Sequence, residues 1–173
     1  CYNTAAHWTL HWEVSRSRFA AFRTTGGENT KAKGAATMIK RFSVLYVGQI
    51  DLDNTGLDGP PADERRYPNE RLVGAYDNAV ALAKHMDELD YYCLWTAEHH
   101  FQREGYECFP NLILLGVHLA GLTKRLKFGG AFNVVPMWHP LRLAEDFAMA
   151  DIMTGGRLIF GVGRGYHSRE VET

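Results

Sequence analysis

Hydrophobic residues beyond position 38 alternate between short compact runs and longer periodic stripes. Short runs rich in β-branched and aromatic residues, bounded by glycine or polar residues, predict strands, whereas apolar residues three and four positions apart predict helices. The predicted strands are 41–47, 91–96, 126–135 and 157–162. The predicted helices are 70–89 with Asn69 as its N-cap, 110–122 with Pro110 in its first turn, and a third that opens at Pro140 and ends at Gly155.

The spacing of these elements predicts the architecture. Strands that start near 91, 126 and 157 suit β-α units of about 30 residues. We therefore predict an α/β fold of the (β/α)8 TIM-barrel type, of which this chain holds about the first four βα units, with no helix after the fourth strand. A full barrel needs about 250 residues, more than the 173 of the chain, so we expect a fragment. A five-stranded doubly wound sheet is the alternative that length favours.

Residues 1–37 do not share this pattern. They carry five basic and two acidic residues, and the stretch 24–37 is rich in Gly, Thr and Lys. We predict an unstructured or non-native N-terminal extension over 1–37, followed by a barrel domain over 38–173, with Met38 as the natural start. A functional basic arm is the competing interpretation.

Composition narrows the function classes. A net charge of −1 and a pI near 6.8 give no electrostatic reason to expect nucleic-acid or membrane binding. The longest apolar stretch, 112–122, is too short to cross a bilayer. The three cysteines form no CxxC pair, and Cys93 lies in a predicted buried strand, which favours a reducing cytoplasm.

Polar chemistry follows two of the predicted strands. The run 95–101 ends in Glu-His-His-Phe, and the run 156–166 ends in three alternating glycines with Arg164 among them, followed by Tyr166. In parallel α/β proteins the active site lies where strands end. Adjacent residues on an extended segment point to opposite sides, so at most one of His99 and His100 is expected to face a cavity. His139 is interpreted as a helix-cap or loop residue.

Three motifs in series resemble the bacterial luciferase-like flavin monooxygenases, over about residues 38–166. They are the Glu-His-His-Phe motif at 98–101, the segment 128–136 with His-Pro-Leu-Arg-Leu-Ala-Glu-Asp at 139–146, and the glycine-rich run 156–165. The resemblance implies a barrel that binds reduced FMN, activates O2 and oxygenates a small organic substrate. It further implies a separate NAD(P)H-dependent flavin reductase as electron supplier, and a homo- or heterodimer.

The resemblance also assigns roles to residues. His99 matches the family's catalytic histidine, a general base or acid beside the flavin. The Ala131–Phe132 peptide bond falls where the family has a non-prolyl cis bond beneath the flavin ring. Glu98 is either a cofactor-binding residue or part of an internal salt bridge.

Three further residues follow the fourth strand. Arg164 matches a contact to the flavin phosphate, for which a planar and permanently charged guanidinium is suited. Gly163 occupies the position that faces the reactive edge of the flavin, and Tyr166 is expected to border the ring. The long connection 48–68 is expected to overhang the cavity and shape substrate access.

Three other functions stay open. A metal-dependent barrel hydrolase would use His99 or His100, His139 and an acid, but two adjacent histidines on one strand cannot both serve one site. A deazaflavin- or flavin-dependent dehydrogenase or reductase of the same family would use no oxygen. A non-catalytic flavin-binding subunit would not need His99.

Overall fold

The computed structural model describes residues 40–52, 64–105 and 107–171. The predicted N-terminal extension, 1–37, lies outside the described residues, so its assignment stays a prediction. The elements in chain order are β1 (Ser43–Tyr46), α1 (Asn69–Leu72), α2 (Gly74–Glu88), β2 (Cys93–Thr96), α3 (Leu112–Gly121), β3 (Lys127–Gly130), β4 (Asn133–Val134), a 3-10 turn (Val135–Met137), α4 (Pro140–Thr154), β5 (Leu158–Ile159), β6 (Val162–Gly163) and α5 (Ser168–Val171).

The main sheet has four parallel strands in the order β1-β2-β3-β5. β4 and β6 form a separate parallel pair that extends the lines of β3 and β5. The predicted α/β class and its parallel sheet are confirmed. Among the described strands the order follows the chain and never reverses, whereas a doubly wound sheet contains such a reversal. The strand order therefore favours the barrel-type arrangement over the doubly wound alternative.

The first predicted helix is interrupted at its start. Asn69 was expected to be the N-cap, but it is the first residue of α1, and Pro68 occupies the cap position without a side-chain hydrogen bond. Val73 lies between α1 and α2. The first four residues thus form a separate turn, and α2 begins only at Gly74.

The second predicted helix starts later than expected. Pro110 lies before α3 and not in its first turn, because Asn111 is the N-cap and its side chain accepts a hydrogen bond from the backbone N–H of Leu114. A side-chain oxygen satisfies an otherwise unpaired helix donor, and this fixes the start of the helix. Pro140 does open α4 and Gly155 ends it, as predicted, and the structure shows Gly155 in the left-handed conformation.

The third and fourth predicted strands are each divided in two. Residues 126–135 were expected to be one strand, but a cis peptide bond between Ala131 and Phe132 separates β3 from β4. The segment 157–162 is divided into β5 and β6. A one-turn helix, α5, follows β6 although none was predicted there. All three departures lie at the end of the sheet that carries the candidate site.

The core lies between the sheet and its helices. α2 buries one face, and the side chains of α3 and the sheet complete the cluster, which includes Ala79, Ala83, Leu94, Leu119 and Phe128. Burial of these apolar side chains holds the helices against the strands. The strand ends are thereby fixed relative to one another.

Candidate active site at the carboxyl ends of the strands

The residues predicted to form a site come together at one edge of the sheet. Parallel strands end on the same side, and the segments after β2, β3 and β6 carry the predicted residues. Backbone hydrogen bonds join two of these segments: Ala131 N–H donates to Thr96 O at 2.7 Å, and Glu98 N–H donates to Phe132 O at 3.3 Å. The end of β2 is therefore fixed against the cis peptide segment.

Glu98 is almost completely buried, and protein groups surround its carboxylate. Oε1 accepts a hydrogen bond from Trp138 Nε1 at 2.8 Å and lies 2.9 Å from His100 Nε2. Oε2 accepts from the backbone N–H of Val134 at 3.1 Å. A buried carboxylate needs such partners to offset its lost hydration. These contacts link the end of β2 to β4 and to the segment that leads into α4.

His99 is buried, and both of its ring nitrogens face carboxylates. Nδ1 lies 2.9 Å from Glu170 Oε1, and Nε2 lies 3.4 Å from Glu107 Oε1. The ring of Tyr166 meets the imidazole edge-on, with 5.9 Å between ring centroids. The two adjacent histidines thus have different environments, because His100 contacts Glu98 and His99 contacts two other acids.

Glu107 lies in the loop between β2 and α3. Burial raises the pKa of its carboxyl, Glu170 and Glu104 add to the rise, and His99 and His167 oppose it. Cys108 is the next residue, and burial with the nearby Glu104 and Glu107 raises the pKa of its thiol to about 11. A thiol with that pKa is protonated near neutral pH, so Cys108 is not a reactive nucleophile.

Glycines form a floor without side chains beside Phe132. A Cβ placed on Gly161 would overlap the carbonyl oxygen of Gly130, and a Cβ on Gly163 would lie 3.1 Å from the Cβ of Phe132. Only glycine allows backbone segments to approach this closely. The Ala131–Phe132 bond is cis, as the resemblance implies, and Phe132 is 51% exposed. We call Gly130, Gly161 and Gly163 the glycine floor.

Arg164 and Tyr166 follow this floor directly. Gly163 is the last residue of β6 and pairs with Val134. Arg164 is exposed, and Tyr166 is 74% exposed although its ring contacts His99. The exposed Tyr166 thus contacts the buried His99, and the exposed Arg164 lies two residues before it in the chain.

A cleft of about 240 Å³ lies on the other side of His99. Its apolar wall comes from α1, α2 and the loop after β2, and its polar lining includes His99, Glu107 and Gln102. Backbone hydrogen bonds from Ile50 N to Gly105 O and from Tyr67 N to Arg103 O connect both described ends of the β1–α1 connection to that loop. The predicted overhang of 48–68 is described only at these ends, because 53–63 lie outside the described residues.

Sequence patterns did not reveal Glu107 and Glu170. Glu170 is 71 residues from His99 along the chain, so no local periodicity connects the two. In the parts of the chain that the structure describes, no group of three His, Cys, Asp or Glu residues is arranged to hold a metal ion. No helix among the described residues is both long and apolar enough to traverse a bilayer.

Comparison with known proteins gives one family and several relatives. Residues 54–173 match the family model for luciferase-like monooxygenases. The oxygenase component of the flavin-dependent trigonelline monooxygenase of Acinetobacter baylyi is 38% identical over 109 residues, which cover 63% of this chain and 30% of that protein. The alkanal monooxygenase alpha chain of Photorhabdus laumondii is 35% identical over 91 residues, 53% of this chain and 25% of that protein. The chain spans less than a third of the length of these relatives.

Solved structures share the fold. The oxygenating constituent of 3,6-diketocamphane monooxygenase from Pseudomonas putida, a type II Baeyer–Villiger monooxygenase in complex with FMN, superposes with a TM-score of 0.60 at 21% identity. The superposition covers 76% of this chain and 31% of that one. The monooxygenase RslO1 from Streptomyces bottropensis gives a TM-score of 0.54 at 29% identity, over 57% of this chain and 30% of that one.

Proposed function

The chain belongs to the luciferase-like monooxygenase family, and we propose that it forms the part of a flavin-dependent oxygenase that contains the histidine and the flavin-ring surface. In this proposal reduced FMN and O2 serve to oxygenate a small organic substrate. The observation that carries the proposal is the contact of buried His99 with the exposed ring of Tyr166, in the segment after β6 that also carries the exposed Arg164. The flavin-dependent relatives support the same chemistry.

The residues present suit a flat anionic cofactor. A Cβ at Gly161 or Gly163 would meet the Gly130 carbonyl oxygen or the Phe132 side chain, so these glycines let the segments pack closely and support Phe132. The exposed rings of Phe132 and Tyr166 offer apolar contact, and Arg164 offers a permanent positive charge for a phosphate. We therefore assign the ring to the surface of Phe132, Gly163 and Tyr166 and the phosphate to Arg164, with Ala131 contributing backbone beneath the ring.

The chain's own residues would then perform acid–base and positioning work. When bound, the reduced flavin supplies the electrons that activate O2. His99 would hold or move a proton at Nε2, the nitrogen not engaged by Glu170. Glu98 would act as a positioning residue, because both of its oxygens contact Trp138, His100 or the Val134 backbone.

The cleft beside His99 is the proposed substrate site. Its volume of about 240 Å³ lies just below the range of roughly 300–1,000 Å³ that is typical of drug-sized ligands. The lining combines an apolar wall with a few polar groups, which suits a small, largely apolar molecule carrying one polar function. His99 borders both this cleft and the flavin surface, so the substrate and the cofactor would meet at its ring.

The larger assembly is also a proposal. The four βα units have the strand order of the first half of a (β/α)8 barrel, with β1 and β5 at the edges of the described sheet. Further β-α units would cover these edges, which otherwise present unpaired backbone groups. We propose a separate flavin reductase as electron supplier and a homo- or heterodimeric state, in line with the relative described as an oxygenase component.

The test is an FMN titration of the full chain, in which quenching of flavin fluorescence measures binding. We expect saturable binding at one site, and Arg164→Ala should weaken it about tenfold to a hundredfold, because a charge-assisted contact contributes about 1.5–3 kcal/mol.

Arg125→Ala is the matched control. Arg125 precedes β3 at the opposite end of the sheet and pairs with Asp90 at the surface. This substitution should leave FMN affinity within twofold of the wild-type value. Absence of saturable binding, or equal weakening by both substitutions, would contradict the proposed flavin site.

A further inference from the structure

The imidazole of His99 lies between two carboxyl groups from different loops. Glu170 on α5 faces Nδ1 at 2.9 Å, and Glu107 in the β2–α3 loop faces Nε2 at 3.4 Å. The side chain of His99 is 7% exposed, that of Glu170 0% and that of Glu107 16%. The two carboxyl groups beside this buried ring influence which of its nitrogens carries a proton.

Glu170 determines the tautomer of the ring. An ionised carboxylate accepts hydrogen bonds and cannot donate, so the nitrogen facing Glu170 must carry a proton. The same Oε1 also accepts the backbone N–H of His100 at 2.9 Å, which holds the carboxylate in place. An ionised Glu170 thus requires a neutral His99 ring to be protonated on Nδ1, which leaves the Nε2 lone pair facing Glu107 and the cleft.

Glu107, the other carboxyl group beside His99, tends to hold its proton. It borders the cleft, and burial raises the pKa of its carboxyl, so its protonated form persists to higher pH than that of an exposed glutamate. The charged groups facing it are His99 and His167, which favour the carboxylate, and Glu104 and Glu170, which oppose it. The protonated carboxyl group of Glu107 is therefore a hydrogen-bond donor next to an acceptor, the Nε2 lone pair of His99.

We propose that Glu107 is the proton partner of His99 and that Glu170 is its positioning residue. The O–H bond of Glu107 breaks as an N–H bond forms at Nε2, which leaves an imidazolium between two carboxylates, and the reverse step restores the neutral pair. Glu107 would thus connect His99 to the cleft as a proton source. Only the use of that proton in oxygenation rests on the proposed function.

Nitrogen-15 NMR of the imidazoles tests the role of Glu170 in the full chain without flavin, with His99 assigned by its loss in His99→Gln. We expect the neutral ring to be protonated on Nδ1 in the wild type. Glu170→Gln should retain this tautomer, because its amide oxygen still accepts, whereas Glu170→Ala should weaken the preference for Nδ1, because no acceptor remains there. A wild-type ring protonated on Nε2 overturns the proposal, and that result needs no variant to fold.

The role of Glu107 is tested by the pH dependence of the Nε2 resonance. Two interacting groups titrate as a pair, so the wild-type resonance should move in two steps. Glu107→Gln should leave one step. His100 is the internal control, since it contacts Glu98 and its resonances should be the same in the wild type and in Glu107→Gln. A wild-type profile with one step, or an unchanged profile in Glu107→Gln, overturns the proposal.

The same samples separate this inference from the proposed function. If the chain binds no FMN but shows the Nδ1 tautomer and the two-step profile, the flavin proposal fails and the proton pair stands. If FMN binds and the titration of Nε2 is insensitive to Glu107, the flavin proposal stands and the pair is wrong.

Discussion

The two ends of the parallel sheet use charged side chains in opposite ways. At the amino end, Asp87 accepts backbone N–H groups of Lys124, Arg125 and Leu126 at 2.7–2.9 Å. Arg157 there donates to backbone oxygens at the end of α3, among them Ala120 O at 2.6 Å. At the carboxyl end, acids and histidines face one another, as in the contacts of Glu98 with His100 and of Glu170 with His99.

This difference indicates that the amino end of the sheet serves stability, whereas the carboxyl end has the groups that can take part in chemistry. A charged side chain that pairs with backbone groups completes the loops where strands begin. Acids and histidines buried against one another share protons whose positions depend on small changes in their surroundings. Clusters of that kind mark functional sites in proteins. The asymmetry therefore supports the carboxyl end as the proposed active site without recourse to any resemblance.

The largest expected effect is that of Gly161→Ala in the glycine floor. The added Cβ would overlap the Gly130 carbonyl oxygen, so the backbone must shift. We expect the free energy of unfolding to fall by about 3 kcal/mol and FMN binding to be lost. Chemical denaturation and FMN titration measure the two effects.

Gly74→Ala is the control for that substitution. Gly74 begins α2, and a Cβ there meets no atom within 4 Å. This variant should be as stable as the wild type or more stable by up to about 1 kcal/mol. A Gly161→Ala variant with the same free energy of unfolding and the same FMN affinity as Gly74→Ala would contradict the close packing of the glycine floor.

Asp87→Ala should destabilise the amino end by about 2 kcal/mol, because three backbone donors lose their acceptor. FMN affinity of the folded variant should be unchanged. If this substitution instead weakens FMN binding as Arg164→Ala does, the division of roles between the two ends is wrong.

The pH dependence of Asp87 follows from its contacts. Burial acts to raise the pKa of Asp87, but hydrogen bonds from three backbone N–H groups and the charge of Arg125 outweigh it and lower the pKa. Its contribution to stability is therefore present above the unfolded pKa of about 3.9 and is lost as the pH falls through the folded pKa. Denaturation curves of the wild type and Asp87→Asn should converge at acidic pH.

Glu107 should show the reverse pH dependence and the smallest effect, below about 1 kcal/mol. Its raised pKa means that the folded state holds this proton more tightly than the unfolded state. Stability is thus lost as the pH rises from about 4.3 through the folded pKa. Glu107→Gln should match the wild type at low pH and exceed it near neutrality, and a variant less stable near neutrality would refute this.

The sequence predicted the order of the β-α units because buried parallel strands and amphipathic helices differ in hydrophobic period. Residues directly after a strand lie at the sheet edge, and the structure has His99 and Arg164 in such segments, but the roles of both residues came from the family resemblance and stay predictions. The sequence did not predict the division of 126–135, because the backbone turns at Ala131 without a change in hydrophobicity. Nor did it reveal the Glu170–His99 contact, which depends on two loops meeting across 71 residues.

The most direct test of the account is a crystal structure of the full chain with FMN. We predict the flavin ring against Phe132 and Gly163, its phosphate at Arg164, and His99 beside the ring. A flavin bound near Asp87 at the amino end of the sheet, or one whose phosphate lies away from Arg164, would contradict the assignment of the carboxyl end as the active site.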